Sequence, residues 1–439
     1  MGIFFGTDGI RGIVNEDLTY SVAFKCGNAL GSTKCSPTII VGGDTRPTRS
    51  FLTNAFSGGA MSAGAKVIDV GVCPTAGIAH IAQRIKADYG VVISASHNPS
   101  EYNGIKIFDN GVKLSELKEE QLERKFLQEK HNDYSELGSY AQNHALVKLY
   151  QDYLIDCCDT NLTGLTIVLD GSNGASHKIA PAVFRELGAK VIATHCQSNG
   201  ENINNNCGST CPETLSKAVK RYKADMGLAF DGDSDRVIAC DENGTIMDGD
   251  NIIYILSKYL KSIGKLSKNT VVGTRHTNMG LEKALNNDGI TLIRTDIGDK
   301  YVISKIEEDM LSLGGEKSGH IIFREYATTG DGVLTGIKVA ELVKKSGKKL
   351  SQLFDATLYP QVNIDCRVKD KMRIINSDTL QQVINKNEKE LGDGYRIMVR
   401  VSGTESKIRI MVEGESIDKC NLVATEIENA VIQINESKV

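Results

Sequence analysis

A strand, a helix and a strand recur in the same order at two places in this chain, and this repeat constrains the fold more than any other feature. Residues 38–42 (Thr-Ile-Ile-Val-Gly) form an apolar stretch typical of a buried strand, and a helical segment separates them from Gly-Ala-Lys-Val-Ile at 64–68. The second copy has a strand pattern at 166–170, a helical segment, and the same five letters, Gly-Ala-Lys-Val-Ile, at 188–192. Such alternation predicts parallel sheets with helices packed on their faces.

The rest of the chain extends this pattern into a four-domain organisation. A weaker third copy runs from Thr270 to about Glu316, and a different pattern of helix, strand, strand and helix follows from about Cys366. The length of 439 residues agrees with several domains of roughly 100 to 200 residues each. We therefore predict an α/β protein in which three topologically similar α/β domains with mixed or parallel sheets precede a C-terminal α+β domain. The predicted domains are 1–152, 153–250, 251–362 and 363–439.

The charge balance and the cysteines limit the classes of partner. Lys and Arg number 51 against 55 Asp and Glu, which gives a net charge of −4. A near-neutral chain lacks the basic field that binds nucleic acid or an acidic membrane surface. No apolar run approaches the about 18 residues of a membrane span. Because the eleven cysteines are scattered and odd in number, and no apolar targeting segment begins the chain, we expect a reduced, cytoplasmic protein.

Cys207 and Cys211 lie near His195 in the sequence, which raises the question of a zinc site. Their spacing matches no common zinc motif, and the loop in which they lie is rich in Asn. This pattern alone therefore does not predict zinc binding.

Two loops with unusual chemistry follow the third predicted strand of each repeat. The first, the serine loop, is Ser-Ala-Ser-His-Asn-Pro at 94–99, and the second, the acidic loop, is Asp-Gly-Asp-Ser-Asp-Arg at 231–236. Counting from Ala87 and Ala224, which begin the two strand segments, puts Ser96 in register with Asp233. Ligands of parallel α/β folds bind at the carboxyl ends of the strands, so we expect the two loops to meet there. A hydroxyl facing several carboxylates predicts a seryl phosphate held beside a hard cation.

A bound magnesium ion best explains why three carboxylates lie so close together in the acidic loop. In extended chain Asp231, Asp233 and Asp235 project to one side, and a divalent ion would relieve their mutual repulsion. A solvated acidic turn is the simplest alternative. A calcium-binding EF-hand loop is a second alternative, but its sixth position requires Gly and Arg236 stands there.

Within the serine loop, Ser96 is the preferred nucleophile and Ser94 is the alternative. Ser96 and His97 are neighbours, so in extended chain they point apart, and His97 is poorly placed to act as the general base of a hydrolase.

Two further loops offer polar groups for a phosphorylated sugar. In the C-terminal domain, residues 400–407 form a glycine turn rich in hydroxyl groups and flanked by Arg and Lys, which suits a phosphate and is also compatible with a plain hairpin turn. Residues 315–320, the sugar loop, carry Glu316, Ser318 and His320, which suit sugar hydroxyls or a polar surface turn. Arg11 and Lys106 are cations near the serine loop in sequence, although either is equally compatible with a surface position.

Taken together, these loops resemble the motifs of the α-D-phosphohexomutase superfamily in order and spacing over essentially the whole chain. The five motifs that carry the resemblance lie at residues 6–12, 94–99, 231–236, 315–320 and 400–405. Residues 5–9, 298–302 and 328–332 resemble most closely the bacterial branch of the superfamily that acts on glucosamine phosphates. The chain differs from the family at Lys317, where Gln or Met is common.

The resemblance implies four domains around a deep cleft and a set of residue roles. It implies a phosphoserine at Ser96 and one Mg²⁺ per active site, held by that phosphoserine together with Asp231, Asp233 and Asp235. Beyond what the resemblance implies, we predict Arg11, Lys106 and His320 as further catalytic residues, of which Lys106 and His320 are the candidates for proton transfer. The implied substrate-binding residues are Arg236, Glu316, Ser318, Arg400, Ser402, Gly403, Thr404 and Arg409.

The activity implied by the resemblance is the isomerisation of glucosamine 6-phosphate to glucosamine 1-phosphate. A glucose or glucosamine 1,6-bisphosphate would serve as intermediate or activator, and the product would feed the synthesis of UDP-N-acetylglucosamine and cell-wall precursors. The expected partner is a hexosamine phosphate, with no nucleic acid and no membrane, and the expected state is a monomer or homodimer. Two alternatives remain open, namely a phosphomannomutase/phosphoglucomutase of the same mechanism and a catalytically silent module that binds Ca²⁺ or a sugar phosphate.

Overall fold

The computed structural model describes residues 5–6, 9–127, 136–402 and 406–437. The chain forms two compact units. The larger unit comprises Met1–His276 and Gly289–Asp355, and the smaller unit comprises Thr277–Asp288 and Ala356–Val439. No helix in the described ranges combines the length and the apolar character that a bilayer span needs.

The first sheet of the larger unit has seven strands, ordered β1-β5-β4-β2-β3-β7, with β6 paired to β5. Its strands are β1 (Ile10–Ile13), β2 (Thr38–Gly43), β3 (Lys66–Val72), β4 (Tyr89–Ile93), β5 (Tyr102–Asp109), β6 (Val112–Lys113) and β7 (Ser139–Gln142). Five helices accompany them: α1 (Tyr20–Gly31), α2 (Arg49–Ser62), α3 (Thr75–Arg84), α4 (Glu116–Phe126) and α5 (Val147–Asp156).

The second and third sheets of the larger unit have five and four strands. The second contains β8 (Thr166–Asp170), β9 (Lys190–Thr194), β10 (Met226–Phe230), β11 (Val237–Asp241) and β12 (Ile246–Met247), with helices α6 (Ile179–Glu186) and α7 (Glu213–Tyr222). The third contains β13 (Thr270–Thr274), β14 (Thr291–Thr295), β15 (Leu313–Gly315) and β16 (Ile321–Phe323). The helices of this region are α8 (Gly249–Ser262), α10 (Asp299–Asp309) and α11 (Gly332–Ser346), and helix α9 (Met279–Asn287) belongs to the smaller unit.

The three sheets of the larger unit share one strand order. The shared orders are β3-β2-β4-β5, β9-β8-β10-β11 and β14-β13-β15-β16. In each set the first three strands are parallel and the fourth is antiparallel to the third. Central strands such as β4 and β10 are buried along their whole length, which explains their continuous apolar sequences. The repeats read from the sequence therefore correspond to repeated sheets.

The smaller unit contains a three-stranded antiparallel sheet of order β17-β19-β18. Its elements are β17 (Gln361–Arg367), α12 (Lys371–Ile375), α13 (Asp378–Leu391), β18 (Tyr395–Val401), β19 (Lys407–Gly414) and α14 (Ile417–Glu436), and it also includes α9. The predicted order of helix, strand, strand and helix corresponds to α13, β18, β19 and α14, but the sequence pattern did not reveal β17. The predicted domain boundary after residue 362 falls inside β17.

Helices α1 and α2 pack backbone to backbone in the first domain. A Cβ atom on Gly27 would lie 2.0 Å from the main-chain oxygen of Phe56, and one on Gly59 would lie 1.9 Å from that of Phe24. No side chain fits at either position, so the two glycines set the distance between the helices. Gly58 is the next residue on α2, and a Cβ there would meet only the Phe24 ring, at 3.8 Å.

Replacing Gly59 with Ala should destabilise the first domain because the added methyl group forces α1 and α2 apart. We expect Gly59→Ala to lower the free energy of unfolding by about 1–3 kcal/mol, measured by urea denaturation. The matched variant Gly58→Ala should raise it by about 0.5–1 kcal/mol, because Ala favours a helix more than Gly does. Equal effects of the two substitutions would contradict the close helix contact.

Candidate active site

The serine loop leaves the carboxyl end of β4 and turns sharply at Ser96. Ser96 has a φ of +52°, in the left-handed region that non-glycine residues rarely adopt. Its side chain is buried, and Oγ donates a hydrogen bond of 2.6 Å to Oδ2 of Asp231. The structure thus brings together the hydroxyl and the acidic loop that the strand register predicted to meet.

A buried arginine holds the serine loop in this conformation. Arg46, which follows β2, pairs with Asp44 at 2.9 Å, and both side chains have no exposed surface. Its guanidinium donates to four main-chain oxygens, those of Ser96, Asn98, Pro99 and Tyr102. Main-chain oxygens removed from water require donors, and Arg46 supplies one to each of these four, so it fixes the course of the loop. Its position after a strand end was the only hint of this role in the sequence.

Ser94 also supports the loop. Its Oγ donates to Oδ2 of Asp44 at 2.6 Å and accepts from the main-chain N–H of Ser96 at 2.9 Å. The hydroxyl of Ser94 is therefore occupied in the loop scaffold, whereas that of Ser96 faces the carboxylates. This difference favours Ser96 over Ser94 as the reactive serine.

The carboxylates of Asp231, Asp233 and Asp235, the acidic cluster, converge at the carboxyl end of β10. One oxygen of each lies within 4.8 Å of the others, and all three residues are buried. The expectation that an extended chain would align them is wrong, because the loop is a turn in which Ser234 has a φ of +60°. The turn, rather than strand alternation, brings the carboxylates together. An EF-hand loop follows a helix, whereas the acidic loop follows strand β10, so an EF-hand is excluded here.

The acidic cluster is balanced in part by Lys106 of β5. Its Nζ lies 2.8 Å from Oδ2 of Asp233 and 3.2 Å from Oδ2 of Asp235. Burial, followed by the charges of Asp235 and Asp233, raises the pKa of Asp231 well above its usual value. Although burial has the opposite effect, Lys106 and His320 hold the pKa of Asp235 well below its usual value. Ionising all three carboxylates at once is therefore costly, and a further positive charge would relieve that cost.

The donor set of this cluster fits a hard divalent cation. Oδ1 of Asp233 and Oδ1 of Asp235 are buried and have no hydrogen-bond partner among the described residues. Carboxylate oxygens are the ligands that Mg²⁺ prefers, and a phosphate oxygen commonly completes its coordination. Asp231, Asp233, Asp235 and a phosphorylated Ser96 could therefore hold Mg²⁺.

His97 lies beside Ser96, contrary to the sequence-based expectation. Its Nδ1 is 3.3 Å from Oγ of Ser96 and 3.2 Å from a guanidinium nitrogen of Arg236. The left-handed φ of Ser96 turns the two neighbouring side chains to the same side, so the prediction that they point apart is wrong. Burial, then Arg236 and Arg11, lower the pKa of His97 to about 4, so its imidazole is neutral at pH 7.

Two other predicted cations lie at the same place. Arg11 of β1 donates to Oδ1 of Asn98 at 3.0 Å, and Arg236 donates its main-chain N–H to Oδ1 of Asp231 at 3.2 Å. Neither is an isolated surface charge, which removes that alternative for Arg11. Lys106 is only 2% exposed, so the same holds for it.

The sugar loop, between β15 and β16, brings the third domain to this site. His320 Nδ1 lies 3.7 Å from Oδ2 of Asp235. Burial opposes protonation of His320, but Asp235 and then Asp299 outweigh it and raise its pKa to about 9. Oε1 of Glu316 accepts from the N–H of Gly298 at 3.2 Å, and the buried Oγ of Ser318 has no hydrogen-bond partner among the described residues.

The three loops touch through their main chains. A Cβ on Gly232 would lie 2.4 Å from the main-chain oxygen of Ser96, and one on Gly319 would lie 2.1 Å from that of Val237. Glycine at these two positions allows the serine, acidic and sugar loops to pack against one another without intervening side chains.

The predicted phosphate-binding residues lie in the smaller unit. Arg400 of β18 stands directly opposite Arg409 of β19 in the antiparallel register. Burial and the charge of Arg409 lower the pKa of Arg400, as two neighbouring guanidiniums disfavour each other. Ser402 is buried and donates its N–H to the main-chain oxygen of Lys407 at 2.9 Å. Gly403 and Thr404 lie outside the described residues.

These features define the class of the protein. Three repeated α/β domains, a C-terminal α+β domain and a buried hydroxyl beside clustered carboxylates indicate an enzyme of the phosphohexomutase class.

Models of the phosphoglucomutase/phosphomannomutase family match almost the entire chain. The models of α/β/α domains I, II and III match residues 2–133, 148–244 and 248–360, and the model of the C-terminal domain matches residues 364–430. The chain belongs to this family.

Individual relatives agree with this placement. The phosphoglucosamine mutase of Caldanaerobacter subterraneus subsp. tengcongensis is 45% identical over 442 residues, which cover 98% of this chain and 99% of that protein. A phosphoglucomutase/phosphomannomutase family protein from Burkholderia thailandensis has the same fold, with a TM-score of 0.84, 22% identity, and coverage of 100% of this chain and 98% of that chain. Aspergillus fumigatus N-acetylphosphoglucosamine mutase, solved in complex with GlcNAc-6P and magnesium, has a TM-score of 0.67, 16% identity, and coverage of 99% and 96%. The family resemblance, the fold class and the enzyme class predicted from the sequence are confirmed.

Removing Arg46 should destabilise the protein strongly, because Asp44 and the loop oxygens would lose their shared donor. We expect Arg46→Met to lower the free energy of unfolding by about 3–5 kcal/mol, measured by thermal or urea denaturation. Arg124→Met is the control, since Arg124 is exposed and lies 3.8 Å from the exposed Glu120, and its effect should stay within about 1 kcal/mol. The double variant Asp44→Asn/Arg46→Met should recover part of the loss. A small effect of Arg46→Met would show that the loop holds its course without the guanidinium.

Proposed function

We propose that the protein interconverts glucosamine 6-phosphate and glucosamine 1-phosphate through a phosphoserine at Ser96. The observation that carries the proposal is the hydroxyl of Ser96, buried 2.6 Å from a carboxylate of the acidic cluster. The relative from Caldanaerobacter supports the choice of substrate, since it is named phosphoglucosamine mutase and shares 45% of its residues with this chain over nearly its full length.

In the proposed reaction, phosphorylated Ser96 transfers its phosphoryl group to O1 of glucosamine 6-phosphate. The bond between phosphorus and Oγ of Ser96 breaks as the bond to O1 forms, and the hydroxyl proton of O1 is passed through the site to Oγ of Ser96, which gives the 1,6-bisphosphate and a free serine hydroxyl. The intermediate then reorients within the site so that its 6-phosphoryl group faces Ser96. This group passes to Ser96, and glucosamine 1-phosphate leaves. Phosphoryl transfer depends mainly on positioning and on neutralising the equatorial oxygens, for which Arg11, Lys106 and Arg236 are the proposed groups.

The acidic cluster and two nearby bases complete the proposed chemistry. Asp231, Asp233 and Asp235 would hold Mg²⁺, which supplies positive charge to the phosphoryl oxygens. His320, whose Nδ1 lies 3.7 Å from Oδ2 of Asp235, is the first candidate for proton transfer. Lys106, which is hydrogen-bonded to two carboxylates, is the second candidate for proton transfer.

The remaining predicted residues have proposed roles in substrate binding. Glu316 and Ser318 would bind sugar hydroxyls, supported by the buried Oγ of Ser318. Arg400 and Arg409, together with Ser402, Gly403 and Thr404, would bind a phosphate group, supported by the two guanidiniums that face each other across β18 and β19. The fungal mutase, which was solved with GlcNAc-6P and magnesium, supports the proposed substrate class and cation.

All eleven cysteines are free thiols, which supports the proposed cytoplasmic location.

A comparison of substrates tests the proposed function. With glucosamine 6-phosphate, glucose 6-phosphate and mannose 6-phosphate in the same coupled assay, we expect kcat/KM to be about tenfold or more higher for the amino sugar. Equal or greater efficiency with glucose or mannose phosphate would favour a phosphomannomutase/phosphoglucomutase. No turnover of any of the three by the phosphorylated protein would favour a silent binding module.

Replacing Ser96 should separate the two candidate nucleophiles. We expect Ser96→Ala to lower kcat by about 10⁴-fold or more and to remove the phosphate that intact-mass spectrometry detects after incubation with sugar bisphosphate. Ser94→Ala should slow the reaction, because Ser94 supports the loop, but should still take up one phosphate. Full turnover by Ser96→Ala, or loss of the phosphate only in Ser94→Ala, would contradict the assignment.

A further inference from the structure

A second group of metal-ligating side chains lies in the second domain and is distinct from the acidic cluster. Asp170 ends β8, His195 directly follows β9, and Cys207 lies in the loop that leads to α7. One ligand atom of each lies within 4.8 Å of the others, and Asp170 and Cys207 are buried. Asp170 thus completes a group that the cysteine spacing in the sequence did not reveal.

The geometry of this group suits a cation held by soft and hard ligands together. Nδ1 of His195 lies 2.9 Å from Oδ2 of Asp170. Tetrahedral zinc, with bonds of about 2.0–2.1 Å to N and O and about 2.3 Å to S, separates its ligand atoms by roughly 3.3–3.8 Å. Thiolate and imidazole favour Zn²⁺ over Mg²⁺ or Ca²⁺.

The backbone conformation of His195 and a neighbouring cavity affect the group formed by Asp170, His195 and Cys207. His195 has a φ of +46°, in the left-handed region, and this conformation turns its ring toward Asp170. A cavity of about 690 Å³ borders the site and is lined in part by His195, Cys196 and Asn202. Of the three ligands only His195 lines this cavity, whereas Asp170 and Cys207 are buried.

The loop between His195 and Cys207 connects this group with the serine loop. Asn204, in this loop, donates through Nδ2 to the main-chain oxygens of Ser96 and Asn98, at 2.9 and 3.0 Å. A cation bound to His195 and Cys207 would join the two ends of this loop to Asp170. It would therefore fix the segment that supports the serine loop from the second domain.

We propose that Asp170, His195 and Cys207 form a binding site for a thiophilic divalent cation, with Zn²⁺ as the best match. The site is structural, because its ligands close a loop and none of them is among the predicted catalytic residues. It is independent of the proposed substrate.

Cobalt spectroscopy on the full-length protein tests this proposal. Co²⁺ added to protein freed of metal should give a near-ultraviolet absorption from thiolate-to-cobalt charge transfer, with a stoichiometry of one per chain. Zn²⁺ should displace the signal, and excess Mg²⁺ should not. Cys207→Ser should abolish the absorption, and His195→Asn should weaken Co²⁺ binding by more than about 100-fold, since even the loss of groups that only support ligands costs about 10–100-fold.

Two control variants keep the test specific. Cys26→Ala alters a fully buried cysteine of α1 and should leave the absorption unchanged. Asp233→Asn alters the acidic cluster and should also leave it unchanged. No thiolate absorption in the unmodified protein would overturn the proposal and leave Asp170 and His195 as a hydrogen-bonded pair only. An absorption that persists in Cys207→Ser would overturn it as well.

Discussion

Mutual repulsion among three buried carboxylates is the constraint on which the active site depends. Asp231, Asp233 and Asp235 meet where water cannot screen their charges, and in a medium of low dielectric constant this costs far more than at the surface. Neighbouring basic groups neutralise part of that negative charge. Lys106 reaches Asp233 and Asp235, and the imidazole of His320 also lies near Asp235. A bound cation would neutralise the remaining negative charge. The carboxylates that are costly to bury would then be the groups that hold the cation beside a phosphorylated serine.

Strand periodicity was enough to predict a large part of the fold and of the site. Apolar runs and turn residues located β8 and β18, and the register of the repeats predicted that Ser96 and the acidic loop would meet, because parallel strands of similar sheets end at equivalent places. The same reasoning missed β17, whose residues alternate between partly buried and exposed and therefore lack a continuous apolar run. Strand β18 is also at an edge of this sheet, so the difference lies in the sequence pattern: β18 contains consecutive apolar residues and β17 does not.

Individual contacts within the loops could not be predicted in the same way. The left-handed φ of Ser96 decides where His97 points, and non-glycine residues carry no sequence signal for that conformation. Arg46 is a single arginine in a turn, and only the folded chain shows that four main-chain oxygens accept hydrogen bonds from it. Asp170 and Cys207 are distant in sequence and share no motif. In each case the missing information is the path of the loop, which depends on packing between domains of the larger unit.

The direct main-chain contacts of Gly232 and Gly319 have a consequence for how substrate preference can change. Because the serine, acidic and sugar loops rest on one another without side chains between them, no loop can lengthen or shift without displacing its neighbours. If these loops bind the sugar as proposed, its selectivity is most easily changed by exchanging side chains that face away from these contacts. Lys317, partly exposed and 3.7 Å from Asp248, is a residue of the sugar loop whose side chain takes no part in these main-chain contacts.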